Sequence, residues 1–173
     1  INFMISFKIN NEIKEFLSGE YNELIIFCPF ISLKGITKCF DYIPSLNSKK
    51  IIIVTRWRKL DIISGVSDIN IYPFLKSKNV KLLHNEFIHL KIFIKNKTEC
   101  LFGSANITET AMGINELSNP NIELIRKDQF NIDFYTKFQE ILDKSVLIDD
   151  VFYNKMIKIK SDNIDFLNKI KKL

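Results

Sequence analysis

The segment from His89 to Asn106 holds the side chains of this 173-residue chain that are best suited to chemistry on a phosphate. His89 and Lys91 are two positions apart, so on a β-strand they face the same side, roughly 7 Å apart along the chain. Ser104 and Asn106 follow a turn-forming Gly103. An imidazole can attack phosphorus, an ammonium stabilises negative charge, and hydroxyl and amide groups donate hydrogen bonds. The spacing therefore predicts a site for an anionic ester.

Alternating strands and helices must position these side chains. The pattern predicts strands at 23–30, 50–55, 80–83, 89–95, 98–102 and 121–126, and helices at 33–42, 68–78, 107–112 and from 128 onward. Asn96-Lys97 forms the turn of a hairpin, while Leu90, Ile92 and Ile94 are expected to fill its buried face. The fold class expected is α/β, with a mixed sheet sandwiched between helices.

Two helices are expected beside this hairpin. The first follows Asn106, with Glu109 three residues later in a capping arrangement, and Gly113 ends it. Its N-terminus is expected to face the phosphate pocket. The second carries an apolar stripe, formed by Phe130, Phe134, Phe138, Ile141 and Leu142.

Composition limits the classes of protein that fit. The chain reads as a single domain, 1–173, with its core at about 20–145 and a helical tail at 146–173. The net charge of +5 favours a polyanionic partner. Apolar runs are too short to span a bilayer, so no membrane partner is expected. Three cysteines without a CxxC pair indicate reduced core thiols in a cytoplasmic protein, and no structural zinc site.

Residues 89–106 read HLKIFIKNKTECLFGSAN and resemble the signature of the phospholipase D superfamily. That signature is His-x-Lys, four residues, Asp, six residues and Gly-Ser, with Asn shortly after. The matching residues are His89, Lys91, Gly103, Ser104 and Asn106. Asn96 stands where the family has Asp, which is usually a structural residue of the hairpin. The resemblance spans about residues 20–145 and extends to the single-motif, nuclease-like and restriction-endonuclease-like branch.

The resemblance implies a metal-independent phosphodiesterase without a cofactor, which cleaves DNA through a phosphohistidine intermediate. Since the motif occurs once and His84 has no lysine partner, it implies a homodimer in which His89 of both subunits faces one active site. Glu123 would orient the histidine, with Glu116 as a competing candidate. A separate DNA-recognition domain is expected, as in restriction endonucleases, and the absence of an initial Met suggests that the chain is a piece of such a protein.

Arg56, Trp57 and Arg58 follow the predicted strand at 50–55, where an α/β sheet tends to bind its ligand. They are candidates for contacting phosphates and stacking on a base. A solvated strand end with one packed tryptophan is an equally good interpretation. Two alternatives remain for the whole chain: an inactive nucleic-acid-binding or dimerisation module, and a phospholipid phosphodiesterase.

Overall fold

The computed structural model describes residues 4–6, 9–114 and 119–163. The strands in this part of the chain are β1 (Met4–Ser6), β2 (Glu23–Phe27), β3 (Lys50–Thr55), β4 (Lys81–His84), β5 (Ile92–Lys95), β6 (Glu99–Gly103), β7 (Glu123–Gln129) and β8 (Val146–Leu147). The helices are α1 (Asn10–Leu17), α2 (Leu33–Asp41), α3 (Lys59–Ser64), α4 (Ile71–Ser77), α5 (Glu109–Met112), α6 (Ile132–Asp143) and α7 (Asp150–Asp162), with a 3₁₀ turn at Leu46–Ser48.

The strands form one mixed sheet in the order β1-β7-β6-β5-β2-β3-β4-β8. Strands β2, β3 and β4 run parallel to one another, and helices connect them. The remaining pairings are antiparallel, including the meander of β5, β6 and β7. The predicted mixed sheet between helices is therefore confirmed.

The central strands are apolar without alternation because helices cover both faces of the sheet. Leu24 and Ile26 of β2 belong to the larger core cluster, whereas Ile25 and Phe27 belong to the cluster on the other face. Helix α6 covers this second face with Phe138, Ile141 and Leu142. Cys28, Cys39 and Cys100 are buried and free, as predicted.

Several element boundaries differ from the prediction. Strand β7 continues to Gln129, so residues 128–129 are not helical, and α6 begins only at Ile132. Phe134 is 57% exposed and does not join the predicted stripe. Helix α1 was not predicted, although Ile13, Phe16 and Leu17 bury its apolar face.

The C-terminal tail begins with a strand. Val146 and Leu147 of β8 pair with β4 before α7 begins, a two-residue pairing too short to predict. The side chain of Asp149 caps α7 by accepting a hydrogen bond from the backbone N–H of Phe152 at 2.8 Å. Residues 164–173 lie outside the described part. No described helix is long and apolar enough to cross a membrane.

Candidate active site

His89 and Lys91 lie just before β5, not within it. The strand begins at Ile92, although the backbone N–H of Gly103 still donates to the Lys91 carbonyl at 3.2 Å. The expected burial of Leu90 is wrong, since its side chain is 39% exposed, whereas Ile92 and Ile94 are buried as predicted. The segment from Ile88 to Lys91 is outside the sheet, and the His89 side chain is exposed.

The two halves of the motif meet at one end of the β5–β6 hairpin. His89, Lys91, Gly103, Ser104 and Asn106 line one open cleft of about 460 Å³. They meet because β5 begins and β6 ends at the same edge of the sheet, where the antiparallel pairing ends at Ile92 and Phe102. The structure thus brings together an imidazole, an ammonium, a hydroxyl and an amide, as the spacing predicted.

Glu123, at the start of β7, is hydrogen-bonded to Ser104, which lines the cleft. It is only 8% exposed, and the Ser104 hydroxyl donates a short hydrogen bond to its Oε2. Asn121 Nδ2 donates to its Oε1 at 3.1 Å, and the backbone N–H of Leu124 donates to Ser104 Oγ at 3.0 Å. Within the described residues Glu123 makes no hydrogen bond to His89, so it positions Ser104 instead. Glu116 lies outside the described residues.

Asn106 lies on a loop that is bound by the segment between β2 and α2. The backbone N–H of Ile107 donates to Cys28 Sγ at 3.3 Å, and the Ile107 carbonyl accepts from the backbone N–H of Ser32 at 2.9 Å. Cys28 Sγ lies 3.9 Å from Asn106 Oδ1. This supporting role was not predicted, because the predicted strand at 23–30 includes Cys28 and its apolar surroundings indicate only a buried thiol.

The predicted cap at Asn106 is wrong. Thr108 caps α5, because its side chain accepts from the backbone N–H of Ala111 at 3.4 Å. Glu109 instead accepts a hydrogen bond from the Ser32 hydroxyl. Since α5 has only four residues, its N-terminus offers little of the phosphate-binding field that the sequence suggested.

The cations around the cleft favour a neutral histidine. The pKa of His89 is lowered, mainly by the Lys91 ammonium, with smaller contributions from burial and the Arg56 guanidinium. Burial also lowers the pKa of Lys91, while the charge of Glu123 opposes that change. Burial raises the pKa of Cys28 to about 12, so this thiol stays protonated near neutral pH. The neutral form of the His89 imidazole, which has a ring nitrogen lone pair that can attack an electrophile, is therefore favoured near neutral pH.

The three residues after β3 have different environments. Arg56 Nε and Nη2 bind the carboxylate of Asp61 at 2.8 and 3.2 Å, and its guanidinium lies 4.7 Å from the ring centre of Phe30. Its positive charge makes a small contribution to the lowered pKa of His89. Trp57 is 1% exposed and packs near Phe152, so its predicted stacking on a base is wrong. Arg58 is exposed directly before α3.

His84 is a structural residue. Its Nδ1 accepts a hydrogen bond from the backbone N–H of Trp57 at 3.0 Å, and its ring packs 5.4 Å from that of Phe152. Burial is the main reason that its pKa is lowered. In the described ranges, no group of three or more His, Cys, Asp or Glu side chains is arranged to hold a metal ion.

The pKa of His89 should respond to its neighbour. Replacing Lys91 with Met removes the charge that contributes most, so the pKa of His89 should rise toward its usual value of about 6.5. NMR titration of the two imidazoles measures this change, and His84 is the internal control because burial dominates its shift. An unchanged His89 titration in Lys91→Met would contradict the electrostatic account.

Asn96 has a structural role at the far turn of the hairpin. It adopts a left-handed conformation with φ of 48°. Its Oδ1 accepts hydrogen bonds from the backbone N–H groups of Asn22 and Glu23 at 2.9 and 3.1 Å. The amide thus fastens the hairpin to the start of β2, which is the structural role expected for this position.

Comparison with known proteins shows the fold. No family model matches the sequence, and no curated protein matches it significantly. NucT from Helicobacter pylori superposes with a TM-score of 0.64 at 14% identity, over 85% of this chain and 98% of its own. Nuc from Salmonella typhimurium, a phospholipase D family member, superposes with a TM-score of 0.65 at 12% identity, over 86% and 99%.

A larger enzyme shares the same fold. The phosphatidylserine synthase of Haemophilus influenzae superposes with a TM-score of 0.60 at 9% identity, over 94% of this chain and 44% of its own. The mixed sheet between helices is thus the phospholipase D-like fold that these structures share.

Proposed function

We propose that this protein is a phosphodiesterase that cleaves DNA by attack of a neutral His89 on phosphorus, without a metal ion. The observation that carries the proposal is the shared cleft of His89, Lys91, Ser104 and Asn106. Lys91 and the Asn106 amide would bind the non-bridging phosphate oxygens, while Glu123 positions Ser104. The net charge of +5 favours a nucleic-acid substrate.

The reaction has two steps. A ring nitrogen of His89 forms a bond to phosphorus, and the bond between phosphorus and one ester oxygen breaks. The leaving oxygen takes a proton from an acid, which yields an alcohol and a phosphohistidine. Water then attacks phosphorus, gives a proton to the same group, and releases the histidine and a phosphate monoester.

The acid in this scheme comes from a second copy of the chain. His84 cannot supply the proton. Its Nδ1 accepts a hydrogen bond from the backbone N–H of Trp57, and its ring does not line the cleft. In the proposed homodimer, His89 of the second subunit serves as acid and then as base. Ile5, Ile122 and Leu124 form an exposed apolar surface, the β1–β7 patch, beside Ser104 and Glu123. We propose that this patch contacts the second copy.

A charge on the β1–β7 patch should therefore weaken the dimer. Ile122 is 65% exposed, so Ile122→Lys should leave the subunit folded. We expect it to raise the dimer dissociation constant about tenfold or more, and to lower cleavage at dilute enzyme. Analytical ultracentrifugation measures the first effect. Ile157→Lys on α7, which replaces another exposed isoleucine, is the matched control. Equal dimer stability in the two variants would contradict the assigned contact surface.

The biological setting proposed is that of a nuclease or restriction-endonuclease cleavage domain. Arg56 and Arg58 are the proposed contacts to flanking phosphates, since the charge of Arg56 acts on the pKa of His89 and Arg58 is exposed. A separate domain would then supply sequence recognition.

Plasmid cleavage in the presence of EDTA tests the proposed function. We expect nicking between about pH 5 and pH 8, declining on the acidic side as His89 becomes protonated. Rapid denaturation during turnover should trap an acid-labile phosphohistidine, detectable by mass spectrometry. DNA binding without cleavage would instead indicate an inactive binding module.

A phospholipid phosphodiesterase is the second candidate, and one observation favours it. Exposed apolar side chains, including Phe87 and Leu90, lie next to His89 along the chain. Hydrolysis of phospholipid vesicles, with DNA left intact, would support that activity.

A further inference from the structure

An apolar groove adjoins the catalytic cleft. This Phe87 groove has a volume of about 730 Å³, within the usual range for ligand sites. Its apolar walls are formed by Phe87, Ile88, Leu90, Ile141 and Val146. His89 lines both the groove and the cleft, so a ligand in the groove would be continuous with a phosphate at the nucleophile.

Hydrogen bonds hold the loop that carries Phe87 in place. Its side chain is 81% exposed, an unusual exposure for a large apolar ring. Asn85 Oδ1 accepts a hydrogen bond from the backbone N–H of Phe87 at 3.1 Å, and Asn85 Nδ2 donates to Ser145 Oγ at 3.2 Å. The backbone N–H of Asn85 also donates to the Thr55 carbonyl at 3.0 Å. The loop is therefore fastened to β3 and to the end of α6.

The charges at the rim distinguish between occupants. Lys144 and Glu86 are the two charged residues of opposite sign that line the groove. The Glu86 carboxylate repels phosphate and the Lys144 ammonium attracts it, so the backbone of a bound strand would lie nearer to Lys144 than to Glu86. An acyl chain gains nothing from either charge and would partly desolvate both. A nucleobase has a flat face for Phe87 and polar edges that can bond to Glu86.

We propose that the Phe87 groove binds an unpaired nucleobase next to the scissile phosphate, so that the enzyme prefers single-stranded DNA. The proposal rests on the nuclease function proposed above. In a duplex each base is already stacked and paired, and its face is closed to Phe87. An unpaired base can stack on the ring while its phosphate reaches His89.

The test compares binding and cleavage of short oligothymidylate strands, with and without an abasic residue beside one phosphate. Binding is measured by fluorescence anisotropy in the His89→Ala background, which keeps the strands intact, and cleavage is measured with active His89. We expect Phe87→Ala to weaken binding of the intact strand, and to raise its KM, about tenfold. The abasic strand and a duplex of the same sequence should be little affected. Phe134→Ala, which removes an exposed phenylalanine of α6, is the matched control.

Other results would overturn the proposal. Equal losses on the intact and abasic strands, or a change of oligomeric state in Phe87→Ala, would show that Phe87 stabilises the assembly. Loss of phosphatidylcholine vesicle hydrolysis in Phe87→Ala, with DNA binding unchanged, would assign the groove to lipid. A base-dependent binding difference without any cleavage would refute the nuclease function and still support the base site.

Discussion

Replacing His89 with alanine is expected to lower the rate of DNA cleavage by at least about a thousandfold, which corresponds to about 4 kcal/mol of activation free energy. Among the described residues, neither Cys28 nor Ser104 is suited to take over the attack. The Cys28 thiol is buried with its pKa raised to about 12, and the Ser104 hydroxyl is bonded to Glu123. Lys91 remains a cation that is suited to binding phosphate.

The measurement is plasmid cleavage in EDTA, together with mass spectrometry of the trapped enzyme. The phosphohistidine should disappear in His89→Ala, and the melting temperature should stay the same because His89 is exposed. His84→Ala is the matched control, since it removes the other histidine. It should lower the melting temperature, because it removes the bond to Trp57, and retain activity. A trapped adduct in His89→Ala would refute the assigned nucleophile.

Gly103→Ala should destabilise the fold by about 3 kcal/mol or more. A Cβ at this position would lie 1.9 Å from the carbonyl oxygen of Leu124, and 3.1 Å from the Cα of Ile125. Both atoms belong to the backbone of β7, so no side-chain rotation relieves the clash. The strands must separate next to Ser104, which should also reduce activity.

Urea denaturation measures the change in the free energy of unfolding. Gly19→Ala is the control, because its Cβ would meet the side-chain Nζ of Lys95 at 3.2 Å and the Phe16 carbonyl oxygen at 3.9 Å, which is an ordinary contact. We expect that variant to change the stability by less than about 1 kcal/mol. Similar stabilities for the two variants would show that β6 and β7 can separate at little cost.

The sequence predicts the sheet well where its signals are local and strong. The apolar run of β3 was predicted with the observed bounds, Lys50–Thr55. The turn at Asn96-Lys97 was also predicted, and both residues adopt the positive φ angles that such a turn requires. The fixed spacing of the motif was sufficient to gather its five residues around one cleft.

Features that depend on tertiary contacts were not predictable in the same way. Nothing local distinguishes a buried Trp57 from a stacking platform, because its burial depends on Phe152, which lies 95 positions further along the chain. The hydrogen-bond partner of Glu123 also differs from the predicted one, since Ser104 and not His89 donates to that carboxylate in the described residues. Exposure of Phe87 follows from a loop held by Thr55 and Ser145, which are distant in sequence.

The amide at Asn96 also determines how the hairpin responds to acidity. Its contacts are two backbone N–H groups, which an amide oxygen can accept at any proton concentration. An aspartate in the same place would add a negative charge to a turn where the Glu23 carboxylate already binds Lys50 and Lys97. The neutral side chain avoids that like-charge repulsion. About five residues of extended chain, roughly 16 Å, separate Asn96 from Lys91. Asparagine in place of aspartate at position 96 therefore changes the charge at the opposite end of the sheet and leaves the side chains of the cleft unchanged.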